Sequence, residues 1–238
     1  MKSPTVSVVM PFWNRSGLIT NSIKSIMNQT VRDWELIIVD DGSDEGHAKS
    51  VQDIVNSFAD ERIRIVRQDH KGIAAARNLG NEQATAPFLT MQDSDDLAMP
   101  DRLEKCLDNI GGADILYHGM YMNTWDKQFN CITRDYIPAR IINIGELLEE
   151  QRIPSVPFYR RHVWRKRPFR LETTHAFDWM MYVDWKLSGF EFKAYDVGLY
   201  EYIRQEGSSS IVYRETGLKD KALQEIRRIV KEEYGIAS

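Results

Sequence analysis

The sequence predicts an α/β protein: a mostly parallel sheet with helices packed on its faces. Three observations point there. Up to Ile110, short β-rich apolar runs alternate with segments of helical spacing, the pattern of strand–helix–strand units. The runs TVSVVM and ELIIV are nearly continuous in apolar residues, as strands covered on both faces are. The polar residues with chemical potential collect just after these runs, where a parallel sheet offers its carboxyl ends to a ligand.

The elements follow in order. Thr5 to Met10 is a strand ending at Pro11. Ser16 to Gln29 is helical, with Leu18, Ile19, Ile23, Ile26 and Met27 on one face. Glu35 to Val39 is a strand closed by Asp40-Asp41-Gly42-Ser43. Ala48 to Phe58 is a helix, Arg62 to Val66 a strand, and Gly72 to Ala86 an alanine-rich helix. Pro87 to Met91 is a fourth strand, running straight into QDSDD. Pro100 to Ile110 begins a helix with proline in its first turn. The last third is less regular. Asp114 to Met122 is a strand, Ile141 to Glu150 a helix, Phe177 to Leu187 a buried aromatic helix and Phe192 to Tyr202 a final strand. Leu218 to Tyr234 is an amphipathic helix. Between them, Tyr159 to Arg170 is a basic patch interleaved with aromatics.

The bulk numbers exclude several classes. The 238 residues suffice for one sizeable core. A hydrophobic share of 42 % with 28 % charged residues is that of a soluble globular chain. A net charge of −4 lacks the basicity of a nucleic-acid binder, so no nucleic-acid partner is expected. Cys106 and Cys131 are the two cysteines and have no metal-like spacing. With no signal-peptide pattern and no apolar run of membrane-spanning length, the expectation is a cytoplasmic protein, with contact at the inner membrane face left open.

Asp93, Asp95 and Asp96 pose the sharpest question. Crowded carboxylates repel unless something neutralises them. Taken alone, a divalent cation and a solvated, helix-capping turn explain them about equally well. An EF-hand loop does not, because the glycine and loop spacing are missing. Pro11-Phe12-Trp13-Asn14, Asp40-Asp41 and Asp93-Ser94-Asp95-Asp96 follow three different strands, and one sheet edge would unite them.

Four motifs in order, VSVVMPFWNR, IIVDDGSDE, GIAAARNLGNEQA and FLTMQDSDDLAMPDRL, resemble the nucleotide-binding half of family 2 glycosyltransferases with the GT-A fold. The likeness covers about the first 105 residues well; later, FDWMMYVDWKLSG resembles the family's acceptor-side helix. It implies a Rossmann-like nucleotide-sugar half over 1–105, a mixed acceptor-side half over 106–215, and a helical extension over 216–238. It also implies inverting sugar transfer from a nucleoside-diphosphate donor, a UDP-sugar in the first instance. The acceptor would be a saccharide or lipid-linked glycan of polysaccharide synthesis, and the cofactor Mn²⁺ or Mg²⁺.

By the same resemblance, Asp95 contacts the metal and Asp93 reaches the metal or the ribose, with Ser94 between them in the DxD pattern. Pro11, Phe12 and Trp13 lie along the base. Asp41 hydrogen-bonds it, with Asp40 beside, and Arg77 reaches the nucleotide. Asp178 is the general base. Phe177 stands where the family usually has glutamate, and Asp184 where it often has arginine, so Glu172 and Asp184 are the next candidates. Where many relatives carry a C-terminal histidine, YIRQEGSSS offers Gln205, leaving Arg204 to serve the phosphates.

Blander readings stand beside these. Asp40 and Asp41 suit turn chemistry, Arg77 a helix surface, Asp178 an N-cap, and His175 a loop. Trp179 and Trp185 suit a core. The basic patch reads as solvated surface, as a site for an anionic acceptor, or as a contact to acidic lipid. The C-terminal helix packs on the domain, or serves a homodimer or a membrane contact. The rivals are a degenerate sugar-nucleotide binder and a sugar nucleotidyltransferase, whose glycine-rich loop PFWNRSG does not match.

Overall fold

The computed structural model describes residues 3–126, 130–150, 153–173, 177–204 and 218–236. His175 and Gln205 lie outside the described residues.

The first half builds as its pattern predicts. Strands β1 (Val6–Phe12), β2 (Trp34–Asp41), β3 (Ile63–Gln68) and β4 (Phe88–Met91) form a parallel block in the order β3-β2-β1-β4. Helices α1 (Ser16–Met27), α2 (Glu45–Phe58) and α3 (Ile73–Gln83) make the crossovers. Period-two alternation sorts the strand side chains between two cores. Val8, Met10, Leu36 and Ile38 pack with Ile19, Ile23 and Val51 of α1 and α2. Val9, Ile37, Val39 and Met91 face the other way, with Ala76 of α3. Helix α3 lies so close to β1 that a Cβ at Gly80 would run into the Val9 side chain.

The second half is mixed. β5 (Leu97–Ala98) and α4 (Arg102–Ile110) follow the DSDD turn. Then come β6 (Ile115–Trp125), β7 (Cys131–Ile137), α5 (Ile144–Leu147), β8 (Phe158–Arg160), α6 (Arg161–Lys166), α7 (Phe177–Leu187), β9 (Phe192–Arg204) and α8 (Leu218–Tyr234). β8 joins the two halves, antiparallel to both β4 and β6, and the sheet ends β8-β6-β9-β5 with β7 on β6.

Three strands escaped the sequence pattern. β5 has two residues and β8 three, too short for a period. β7 is almost wholly exposed and shows no apolar alternation. The expected helix over 141–150 shrinks to the four residues of α5, started by a capping box between Asn143 and Glu146. Ile141 stays outside it, largely exposed.

The basic patch divides between surface and structure. Tyr159, Val163 and Phe169 are buried, and Arg160 and Arg161 bond the carbonyls of Gly111, Ala113 and Ala84. Arg165, Lys166 and Arg167 are exposed. The apolar face of α8 is covered: Ala222, Ile226, Ile229 and Val230 share a buried cluster with Trp179, Tyr182 and Trp185 of α7. Arg170 fastens this layer by pairing with both Asp184 of α7 and Glu233 of α8. Among the described residues no helix is long and apolar enough to cross a membrane.

Candidate functional site

Parallel register sets the carboxyl ends of β1, β2 and β3 side by side: Phe12 lies opposite Asp40, Asp40 opposite Arg67, and Asp41 opposite Gln68. β4 ends next to β1, with Met91 opposite Val9. The three motifs that follow separate strands therefore meet along one edge.

At the β1 corner, Pro11 and Phe12 are buried within the strand, and Trp13 presents the open ring, 50 % exposed. It stacks on His70 with centroids 4.4 Å apart and planes 20° from parallel. Asp41 holds His70 there. Its Oδ1 accepts from the Lys71 N–H (2.9 Å) and Gln68 Nε2 (2.6 Å), and its Oδ2 from the Gly72 N–H (2.9 Å). His70 Nδ1 is 2.9 Å from the same Oδ2. Negative charge at the N-cap N–H of α3 (Ile73–Gln83), that of Gly72, suits the helix dipole. Gly42 has φ +71°, and a Cβ there would meet the backbone N of His70, so this close approach requires glycine. Asp40 is likewise engaged, by Arg67 (2.6 Å) and the Ser43 N–H (2.9 Å). Both aspartates, candidates from sequence for donor contact, spend their oxygens fixing the loops around Trp13 and His70.

The DSDD turn splits its carboxylates. Asp96 points inward, fully buried, with Oδ1 accepting the Ile203 N–H at 2.8 Å. Burial, then the charges of Asp95 and Asp93, push its carboxyl well above the ordinary range. Asp93 and Asp95 face outward with 19 % and 23 % of their side chains exposed. Asp95 is also raised, by burial first and by the charge of Asp93 second, against the Arg15 guanidinium that pairs with its Oδ2 at 2.6 Å. Ser94 is buried between them.

Behind the turn lies a buried frame that the sequence did not reveal. Arg102, fully buried, donates to His118 Nε2, Gln92 Oε1, Thr90 Oγ1 and the carbonyls of Met91 and Val156. Gln92 Nε2 in turn donates to the carbonyls of Asp93 (3.2 Å) and Asp96 (2.9 Å). The Tyr200 ring lies 4.9 Å from the Arg102 guanidinium, and its hydroxyl accepts the Asp93 N–H at 3.0 Å. Burial, with the Arg102 charge, pushes His118 down to about 3. Its neutral ring accepts from Arg102 at Nε2 and so carries its proton on Nδ1, which donates to the Gly119 carbonyl.

Arg77 joins this turn to the second half. Sequence left it between nucleotide contact and helix surface; it is 1 % exposed. It bonds Asp93 Oδ1 at 2.7 Å and the Ser155 carbonyl at 3.2 Å, and lies 5.0 Å from the Phe177 ring centroid. Burial works against its charge, yet Asp93, and after it Asp178, hold it protonated above its ordinary range. Asp178 is in the first turn of α7, with Oδ1 accepting the Trp179 N–H at 2.9 Å. The two reserve carboxylates are placed otherwise. Asp184 is buried under Arg170 and the Tyr234 hydroxyl, and Glu172 is exposed and paired with Arg170. Arg204 ends β9, next to the Ile203 that holds Asp96.

Asp93 and Asp95, each paired with one arginine, offer hard oxygen donors of the kind Mg²⁺ or Mn²⁺ prefers. Among the described residues no group of three or more His, Cys, Asp or Glu is placed to hold a cation. The pair would share a cation with phosphate oxygens and water, a common arrangement for these ions. A cavity of about 240 Å³ opens beside Asp95, lined by Gly17, Leu18, Asn21, Leu97, Trp125 and Ile203.

The fold is an α/β architecture, a mostly parallel sheet with flanking helices. The family model described as Glycosyl transferase family 2 matches residues 7–196, and the chain belongs to that family. It is 31 % identical over 145 residues to the Escherichia coli UDP-Glc:alpha-D-GlcNAc-diphosphoundecaprenol beta-1,3-glucosyltransferase WfgD, covering 60 % of this chain and 55 % of that one. It is 34 % identical over 123 residues to an uncharacterized glycosyltransferase of Haemophilus influenzae, covering 51 % and 48 %. The chain thus spans about half the length of these relatives. Its fold matches the GT-A glycosyltransferase structures of Staphylococcus aureus TarS 1–349 (TM-score 0.65, 17 % identity, 96 % of this chain and 72 % of that). It also matches a Pyrobaculum calidifontis mannosyltransferase solved with GDP-Man and Mn²⁺ (TM-score 0.69, 15 % identity, 94 % and 64 %).

Proposed function

We propose that the chain is an inverting glycosyltransferase. It moves a sugar from a nucleoside-diphosphate donor, a UDP-sugar, to a hydroxyl of a saccharide or lipid-linked acceptor. One observation carries the reading: the buried Arg77 guanidinium bonds Asp93 of the DxD turn and lies 5.0 Å from the ring centroid of Phe177, the residue before Asp178 at the start of α7. On this reading Arg77 links the donor-side carboxylate to the helix that carries the base.

Each residue then has a task. Trp13, backed by His70, is the face on which the donor base stacks. Asp41 and Asp40 hold the loops that present this face. Asp95 and Asp93 would hold Mn²⁺ or Mg²⁺, which would neutralise charge on the departing diphosphate. Arg77, Gln92 and the Arg102 frame keep the turn from relaxing, so little reorganisation is needed at reaction. Asp178 takes the proton from the acceptor hydroxyl as its oxygen attacks the anomeric carbon opposite the leaving group. The names of relatives support the donor class. WfgD is a UDP-Glc enzyme, and TarS 1–349 has been solved with UDP. Synthesis of a cell-surface polysaccharide precursor, at or near a membrane face, follows as the setting.

The test is transfer by Asp178→Asn. The variant is expected to keep donor affinity and lose about a hundred-fold or more in turnover, the scale of a general base. NMR of the wild-type product should show an anomeric configuration opposite to the donor's. Retained turnover in the variant would move the base elsewhere, and retained configuration would overturn inversion.

A further inference from the structure

Arg15 closes the first motif, VSVVMPFWNR, and the roles above leave it without a task. Its guanidinium Nη1 lies 2.6 Å from Asp95 Oδ2 across 80 residues of sequence, with 45 % of its side chain exposed. It occupies an oxygen that a divalent cation would take. The backbone that carries it is fastened on both sides. Asn14, at φ +51°, donates its N–H to Ser43 Oγ, accepts the Asp44 N–H at its amide oxygen and donates from Nδ2 to Asp44. Ser16 Oγ meets His47 Nδ1 at 2.9 Å. With its main chain pinned to the start of α2, Arg15 has only its long side chain to move. Room lies next to it: the cavity beside Asp95 is lined by Gly17, Leu18 and Asn21 of the same helix, and a Cβ at Gly17 would meet nothing within 4 Å.

We propose that Arg15 is a donor-phosphate residue that waits on Asp95. In the free chain it is the counter-ion of Asp95. A divalent cation displaces it, and the released guanidinium turns to the nucleoside diphosphate that the cation brings. Cation and phosphate share Asp95 as neighbour, so the swing is one side chain long. Planar guanidinium suits phosphate oxygens. This rests on the metal and donor reading above and adds a competition to it.

The competition makes two predictions of opposite sign. Wild type, Arg15→Gln, Arg15→Lys and Asp95→Asn would be titrated with Mn²⁺ alone by electron paramagnetic resonance, then with UDP at saturating Mn²⁺ by calorimetry. Arg15→Gln should bind Mn²⁺ alone about three-fold tighter, the scale of releasing a half-exposed ion pair. It should bind UDP about ten-fold more weakly, the scale of a lost charge-assisted hydrogen bond. Arg15→Lys should fall between wild type and Arg15→Gln in both. Mn²⁺ affinity unchanged or weakened in Arg15→Gln, or UDP affinity unchanged, would overturn the proposal. If Asp95→Asn loses Mn²⁺ while Arg15→Gln behaves as wild type, only the role of Arg15 falls. If wild type and Asp95→Asn bind Mn²⁺ alike, the metal reading falls and takes this proposal with it.

Discussion

Replacing Arg77 by Met tests whether the DSDD turn is held from within. Methionine keeps much of the length and apolar volume, so overpacking and cavity effects stay small. What disappears is the bond to Asp93, the bond to the Ser155 carbonyl and the cation facing Phe177. Removing one partner of a buried ion pair costs about 3–5 kcal/mol, mostly through the charge left behind. Asp93 keeps 19 % of its side chain in solvent, and water takes part of that charge. The expected loss is therefore about 2–4 kcal/mol, below the fully buried figure. Urea unfolding would measure it, with UDP affinity read on the folded variant. Arg77→Lys should recover part of the stability by restoring charge, but not the planar fork that spans Asp93 and Ser155. A loss under about 1 kcal/mol with UDP affinity intact would refute this account, because such a residue contributes no more than an ordinary surface position.

Three further outcomes are expected. Asp96 binds its proton more tightly in the folded chain than in the unfolded one, where a carboxyl titrates near 3.9, so stability falls as pH rises from there through the raised value. Asp96→Asn should remove that part of the slope in urea unfolding at pH 4–8 and cost less than about 1 kcal/mol at pH 8; an unchanged slope would contradict it. Trp13→Ala should weaken UDP by about 1–2 kcal/mol, the scale of one base–aromatic stack, with little effect on stability because the ring is half exposed. Asp184→Asn should lower the unfolding midpoint by loosening Arg170 and Tyr234, while turnover per folded molecule stays at the wild-type level.

What could be read from the sequence was whatever is local. β1, β2 and β4 announce themselves as apolar runs, and the groups at their carboxyl ends follow from strand polarity alone. The apolar stripe of α8 showed that it packs on something, and α7 with its aromatics is what it packs on. Residues whose meaning depends on distant partners were opaque. Arg102 looks like a first-turn helix residue, yet its guanidinium ends on Gln92, Thr90, His118 and Val156. Arg15 gave no sign of Asp95. Asp184 looked like a spare base because nothing near it in sequence hints that Arg170 and Tyr234 enclose it. Asp41 shows a subtler gap. Its position at the carboxyl end of β2 was foreseen, but its oxygens fasten the loop bearing His70, which the sequence did not mark. The buried polar network is built from side chains that converge in space, and spacing along the chain carries no trace of it.

The most direct test of the central claim is a calorimetric titration of wild type and Asp95→Asn with UDP and GDP, each with and without Mn²⁺. The account predicts that one nucleotide binds wild type, that binding requires the metal, and that Asp95→Asn loses it while its unfolding curve stays cooperative. Absence of nucleotide binding under every condition, or an Asp95→Asn variant with unchanged affinity, would contradict it and leave QDSDD as an acidic turn.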